Sequence, residues 1–193
     1  MVPKLAAHEL ACRRGDRLLF RGLDMALHGG EALYLSGPNG IGKTSLLRIL
    51  AGLMRPYAGS VERAGSIGMV DGRPALDPQA PLGNALQFWA GLDGAQLQGE
   101  MLAQLGLADL LDVPVRYLST GQTKRAALAR LLAQDAQIWL LDEPLNGLDI
   151  QGVALVETLV AQHCAAGGIA LVASHQPITL PASITIAIAD FLP

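Results

Sequence analysis

Eight consecutive residues, Gly37-Pro38-Asn39-Gly40-Ile41-Gly42-Lys43-Thr44, fit the pattern GxxxxGK[ST]. Glycine adopts backbone angles that other residues avoid, so successive N–H groups in such a loop can turn inward around one anion. The apolar run Ala32-Leu33-Tyr34-Leu35 precedes the loop, and the spacing predicts a helix over 43–51, closed by Gly52. The N-terminal end of that helix adds a dipole favourable to phosphate. In this setting Lys43 reaches the β- and γ-phosphates of a nucleotide, and the Thr44 hydroxyl ligates Mg2+. Ser45 extends the candidate phosphate-binding run.

A second constellation is Ile138-Trp139-Leu140-Leu141-Asp142-Glu143-Pro144. An apolar strand ending in two acids sets them at the carboxyl edge of a sheet, where ligands bind in parallel α/β folds. Asp142 is expected to hold Mg2+ through water. Glu143 is expected to act as general base, or to orient the attacking water.

These groups need a frame. The stretch from Leu5 to Leu27 alternates in short runs around Gly15-Asp16 and predicts antiparallel strands. Strands are expected over 32–35, 66–70, 138–141 and 169–173, and helices over 85–91, 100–106, 120–134 and 152–165. Strands alternating with helices imply a mostly parallel βαβ core, with a helical insertion in its middle.

Leu118-Ser119-Thr120-Gly121-Gln122 stands 23 residues before Asp142, counting from Ser119, and a helix carrying Lys124, Arg125 and Arg130 runs between them. The segment resembles the LSGGQ signature of ATP-binding cassette (ABC) ATPases, with Thr120 in place of the first glycine. Generic P-loop kinases and GTPases lack it. Ser119 and the N–H groups of Gly121 and Gln122 at a helix start would meet a γ-phosphate held by a second subunit. Asn146-Gly147-Leu148-Asp149 resembles the D-loop that crosses that dimer interface. Ser174-His175-Gln176 resembles the switch loop, in which His175 senses the γ-phosphate and the water.

The resemblance covers nearly the whole chain. It implies an α/β P-loop NTPase of the ABC type: a RecA-like parallel-sheet core, an N-terminal antiparallel β portion and a helical insertion. Residues 1–193 would form one domain, with the core at about 1–73 and 126–193 and the helical part at about 74–125. It implies ATP and Mg2+ as ligands and a homodimer closed around ATP. Two departures stand out. The family's glutamine before the helical insertion falls in register at Arg73, which has no acceptor for a cation; Gln79 serves instead if the loop is longer. The aromatic that stacks on adenine is absent, and Arg14 falls near its place, either stacked on the base or solvated. In Phe88-Trp89, adjacent residues cannot share one helix side, so one is core and the other available to a membrane partner.

Cys12-Arg13-Arg14-Gly15-Asp16-Arg17, Leu53-Met54-Arg55-Pro56 with Ala58-Gly59, and Gly167-Gly168-Ile169 leading to Ser174-His175-Gln176-Pro177 narrow the resemblance. They are similar to ATPase subunits of the cytochrome c maturation haem-export system. That branch implies a peripheral subunit on the cytoplasmic face of the bacterial inner membrane, with CcmB- and CcmC-like membrane subunits. Its ATPase is linked to releasing a haem-loaded chaperone. The alternatives are the ATPase of another small exporter and a soluble ABC ATPase.

Composition agrees with these expectations. The 193 residues are 51% hydrophobic and 16% charged, with a net charge of −3, so no basic face for nucleic acid is indicated. No Asp, Glu, Lys or Arg lies between Glu157 and Asp190, yet glycines, prolines and histidines interrupt that stretch. It reads as a helix end, a turn and buried strands rather than a span of about 20 apolar residues. The beginning of the chain lacks the apolar segment of a signal peptide. Cys12 and Cys164 have no metal-binding spacing and are expected as free, partly buried thiols. His8, His28 and His163 are expected to be ordinary surface or core residues.

Overall fold

The computed structural model describes residues 2–72, 74–181 and 183–192. Strands β1 (Lys4–Arg14) and β2 (Arg17–His28) form a hairpin around Gly15-Asp16. With β4 (Ala58–Ala64) on the other side of β1 they make an antiparallel sheet ordered β2-β1-β4. A second sheet is parallel throughout and ordered β5-β6-β7-β3-β8. Its strands are β3 (Ala32–Ser36), β5 (Ile67–Val70), β6 (Ile138–Asp142), β7 (Ile169–Ser174) and β8 (Ser183–Ala187).

The parallel sheet is buried on both faces, which is why its central strands read as unbroken apolar runs rather than alternating ones. Side chains still alternate in direction. Ile138, Leu140, Ile169, Leu171 and Ala173 face α1 (Lys43–Leu50) and the antiparallel sheet. Trp139, Leu141, Ala170 and Val172 face α4 (Thr120–Ala133) and α5 (Ile150–Ala165). Between β5 and α4 lie α2 (Leu82–Asp93) and α3 (Gly99–Gln104), and α2 packs on α4.

The structure corrects two expectations about strands. The apolar stretch after Glu157 does not end in a buried strand: β8 is an edge strand with its first three residues exposed. β4 also forms where no strand is expected, because its hydrogen bonds come from β1. Cys12 and Cys164 are free and buried. His163 lies flat on Trp139, with 3.9 Å between ring centres, and burial holds its pKa below the usual value. Among the described residues no helix is long and apolar enough to cross a membrane.

Candidate functional site

β3 and β6 flank β7, so residues 37–44, Asp142-Glu143 and His175 all leave the carboxyl edge of one sheet. The loop after β3 turns through Gly37 (φ 149°), Gly40 (φ 79°) and Gly42 (φ 126°), angles that L side chains disfavour. Gly42 begins α1 with no side-chain cap. The first-turn N–H groups of an uncapped helix are a natural anion site.

Lys43 is only 5% exposed. Its Nζ donates to Gly37 O at 2.6 Å and Pro38 O at 3.2 Å, and pairs with Glu143 Oε1 at 2.9 Å. Thr44 Oγ1 donates to Asp142 Oδ2 at 2.6 Å. Asp142 Oδ1 is buried with no hydrogen-bond partner. Burial raises the Asp142 pKa, and the Thr44 bond offsets only part of that. A buried carboxylate oxygen left open beside a hydroxyl is the donor set a hard divalent cation takes. Among the described residues no cluster of three or more His, Cys, Asp or Glu is found.

Glu143 has a left-handed backbone, φ 49°, which re-aims its side chain back across the sheet edge. Its N–H donates to Ala173 O at 2.8 Å, and its Oε2 lies 2.8 Å from His175 Nδ1. Burial pushes the Glu143 pKa up, but the bonds from Lys43 and His175 outweigh it and hold the carboxyl below its ordinary value. Sequence reasoning missed Tyr34 and Lys124. The Tyr34 hydroxyl donates to Ser174 O at 3.3 Å and Gln176 O at 3.1 Å, bracketing His175. Lys124 Nζ donates to Glu143 O at 2.9 Å. A buried-facing tyrosine in the strand before the loop was the available signal for the first; nothing local marked the second.

An open pocket of about 360 Å3 beside residues 39–45 is walled by Arg14, Arg17 and Leu19. Arg13, next to Arg14, instead lies over the Tyr57 ring at 4.8 Å. Arg73 lies outside the described residues. The side-chain oxygen of the alternative, Gln79, accepts from Arg116, and Gln79 does not line the pocket beside residues 39–45.

Residues 119–122 are not beside residues 37–44. Ser119, Thr120 and Gly121 line a separate pocket of about 400 Å3 with Gly147, Leu148 and Asp149, and no residue lines both pockets. Ser119 caps α4 reciprocally: its Oγ accepts from Gln122 N at 3.2 Å, and Gln122 Oε1 accepts from Ser119 N at 2.8 Å. This corrects the expectation that the Gln122 N–H is exposed for phosphate, since Ser119 already occupies it. Asp149 caps α5, with Oδ1 accepting from Gly152 N at 2.8 Å.

Thr120 packs on Gly147. A Cβ added to Gly147 would lie 2.6 Å from Thr120 Cγ2, and Gly147 has φ +80°. Gly147→Ala is expected to lower stability by about 1–3 kcal/mol from the backbone alone, with the clash added. Adding Thr120→Gly should recover the clash part and not the backbone part. Urea unfolding of both variants measures the two; equal losses would show that the methyl contact carries no energy.

Phe88 and Trp89 divide as expected: Trp89 packs against the core and donates its indole N–H to Ala75 O, while Phe88 is 61% exposed.

The ABC transporter family profile matches residues 20–146. A "Cytochrome c biogenesis ATP-binding export protein CcmA" of Novosphingobium aromaticivorans is 56% identical over 189 residues, spanning 98% of this chain and 97% of that protein. A protein of the same description from Zymomonas mobilis is 47% identical, over 98% of this chain and 86% of its own. An ABC transporter ATP-binding protein from Pyrococcus furiosus has the same fold, with a TM-score of 0.84 at 22% identity, covering 98% of this chain and all of that one.

Proposed function

The chain belongs to the ABC transporter family, in the branch of cytochrome c biogenesis ATP-binding export proteins, and from that premise we propose that it is a motor subunit whose two half-sites close around ATP between two copies. It is an ATP-binding ATPase subunit; the proposal concerns how its residues divide the work. The observation that carries it is the separation of the two pockets. In this reading residues 37–45 with Asp142, Glu143 and His175 make one half-site, and residues 119–122 with the Asp149 turn make the other; the two pockets share no lining residue. A single copy leaves the first half without the second.

In this reading the backbone of residues 37–42 and the start of α1 bind the phosphates. Lys43 leaves Gly37 O and Pro38 O to meet the β- and γ-phosphates. Thr44 and Asp142 would hold Mg2+, Asp142 through water. Bound there, Mg2+ supplies charge neutralisation on the phosphoryl group being transferred. Glu143 takes the proton of the attacking water while the bond from γ-phosphorus to the bridging oxygen breaks and ADP leaves. His175 orients Glu143 and the water. Residues 119–122 of the second copy close the far side of the γ-phosphate. Residues 1–193 form one ABC ATPase domain, with residues 74–125 as its helical lobe.

Arg14 is the proposed adenine contact. A guanidinium stacked on a base contributes roughly 0.5–2 kcal/mol. Arg14→Ala is therefore expected to raise the KM for ATP about 2- to 30-fold with kcat unchanged. Steady-state kinetics decide it, and an unchanged KM would return Arg14 to the solvated surface.

We further propose that the dimer sits on the cytoplasmic face of the inner membrane, held by CcmB- and CcmC-like subunits, and drives release of a haem-loaded chaperone. The CcmA relatives support the partner class, and the exposed Phe88 on α2 supports a contact through the helical lobe. Copurification from detergent-solubilised membranes tests this. Recovery with polytopic membrane subunits is expected; recovery with ribosomes or nucleic acid would overturn it.

A further inference from the structure

Lys124 lies on the second turn of α4, five residues after Ser119, and reaches out of the helical lobe to the sheet edge. Its Nζ meets the Glu143 carbonyl at 2.9 Å, and the only other donor recorded at that oxygen among the described residues is Asn146 N at 3.4 Å. The Glu143 peptide needs such a hold. A left-handed φ of 49° is unfavourable for a residue with a Cβ and persists only when neighbours fix it. Ala173 O fixes the N–H side and Lys124 fixes the carbonyl side. Neither contact touches the carboxylate, which Lys43 and His175 hold separately.

The lysine is costly where it stands. Burial lowers its pKa, against the pull of the Asp142, Asp71 and Glu143 charges. A residue needed only to fill space between α4 and β6 would be aliphatic; an ammonium there gives a charge-assisted bond to one carbonyl. An open pocket of about 220 Å3 is lined by Thr120, Thr123, Lys124 and Ala127 of α4 and by Asp71 and Gly72.

We propose that Lys124 is a positioning residue that ties the signature helix to the peptide of Glu143, so that docking of residues 119–122 on the nucleotide of a second copy sets the aim of the carboxylate. The link is mechanical. α4 begins at the residues that meet the opposite phosphate and, one and a half turns on, carries the side chain that holds the catalytic peptide. The inference rests on the reading of Glu143 as the water-activating residue.

The test compares Lys124→Met, Lys124→Gln and Lys124→Arg in the full chain with the parent and with Glu143→Gln. Lys124→Met is expected to lower kcat at least about 10-fold, with the KM for ATP and ATP-dependent dimerisation within about twofold of the parent. Gln or Arg, which keep a donor, should recover most of the loss; if Met fails to fold, the Gln and Arg rates against the parent decide. The inference is overturned if Lys124→Met retains at least half the parent kcat, if KM and kcat deteriorate together, or if neither donor variant recovers the rate. A Glu143→Gln chain as fast as the parent would instead remove the reading beneath it. A slow Glu143→Gln beside a normal Lys124→Met removes only the role of Lys124.

Discussion

Glu143→Gln is expected to reduce ATP turnover about 100- to 10,000-fold, the range a positioned general base supplies, while ATP binding persists. The amide matches the carboxylate in shape. Its oxygen can keep the Lys43 contact and its NH2 can face His175 Nδ1, so the side chain keeps both neighbours. What it loses is the capacity to take a proton. Loss of the negative charge also removes repulsion toward the γ-phosphate, so affinity should hold or rise. On the shared-site proposal, slowed hydrolysis would hold the dimer closed, and sizing with Mg-ATP should show a two-chain species absent from the nucleotide-free sample. Phosphate release and gel filtration measure the two arms. Turnover within tenfold of the parent would reassign the base; a monomer under all conditions would remove the shared-site reading.

Glu143 has a lowered pKa in this structure. Its carboxyl is held down by Lys43 and His175 against the pull of burial. In the proposed mechanism Lys43 turns to the phosphates and gives up one of those bonds, which would raise the Glu143 pKa. A carboxylate with a higher pKa is a stronger base. On the proposed roles, nucleotide binding would strengthen Glu143 as a base through the lysine the two share.

The parts of the site legible in the sequence are those encoded locally. Residues 37–44 specify their own loop, because glycines and a following helix suffice. Asp142-Glu143 and His175 are legible because each follows an apolar strand, and strands of a parallel sheet deliver their ends to one edge. Contacts made across the chain are not. Thr120 is visible as a departure, but Gly147, whose missing Cβ makes room for its methyl, lies 27 residues later and only the fold joins them. Lys124 looks like any charge on a helix until α4 is laid over β6. The segment of β4, Ala58–Ala64, is mostly exposed and polar, so it carries no alternating pattern. Its strand character comes from β1, as edge pairing does generally. The Ser119–Gln122 cap is legible as a Ser-x-x-Gln box, yet read as a phosphate site alone it misassigns the Gln122 N–H.

Lys43→Met should abolish tight nucleotide binding, with a loss of about 100-fold or more. Truncating one partner of a buried, hydrogen-bonded charge pair costs roughly 2–5 kcal/mol, and tenfold in affinity is about 1.4 kcal/mol. The nucleotide-free structure sharpens the expectation. Lys43 is not waiting in solvent; it is 5% exposed and already satisfied by Gly37 O, Pro38 O and Glu143. Binding therefore exchanges those partners for phosphate rather than desolvating a free ammonium, so little is spent on ordering the side chain. The same contacts predict a second effect. Methionine leaves the Glu143 carboxylate buried with one cation fewer, so its pKa should rise even without nucleotide, and the loop carbonyls of Gly37 and Pro38 lose their donor. Lys43→Arg should not rescue binding, because a planar five-donor head does not fit where a compact ammonium is enclosed. Calorimetric titration with Mg-ATP measures the affinity, and thermal unfolding checks that the variant is folded. A folded Lys43→Met chain that binds ATP within threefold of the parent would show that the backbone of residues 37–44 carries binding alone, and that Lys43 acts only on the transferred phosphate.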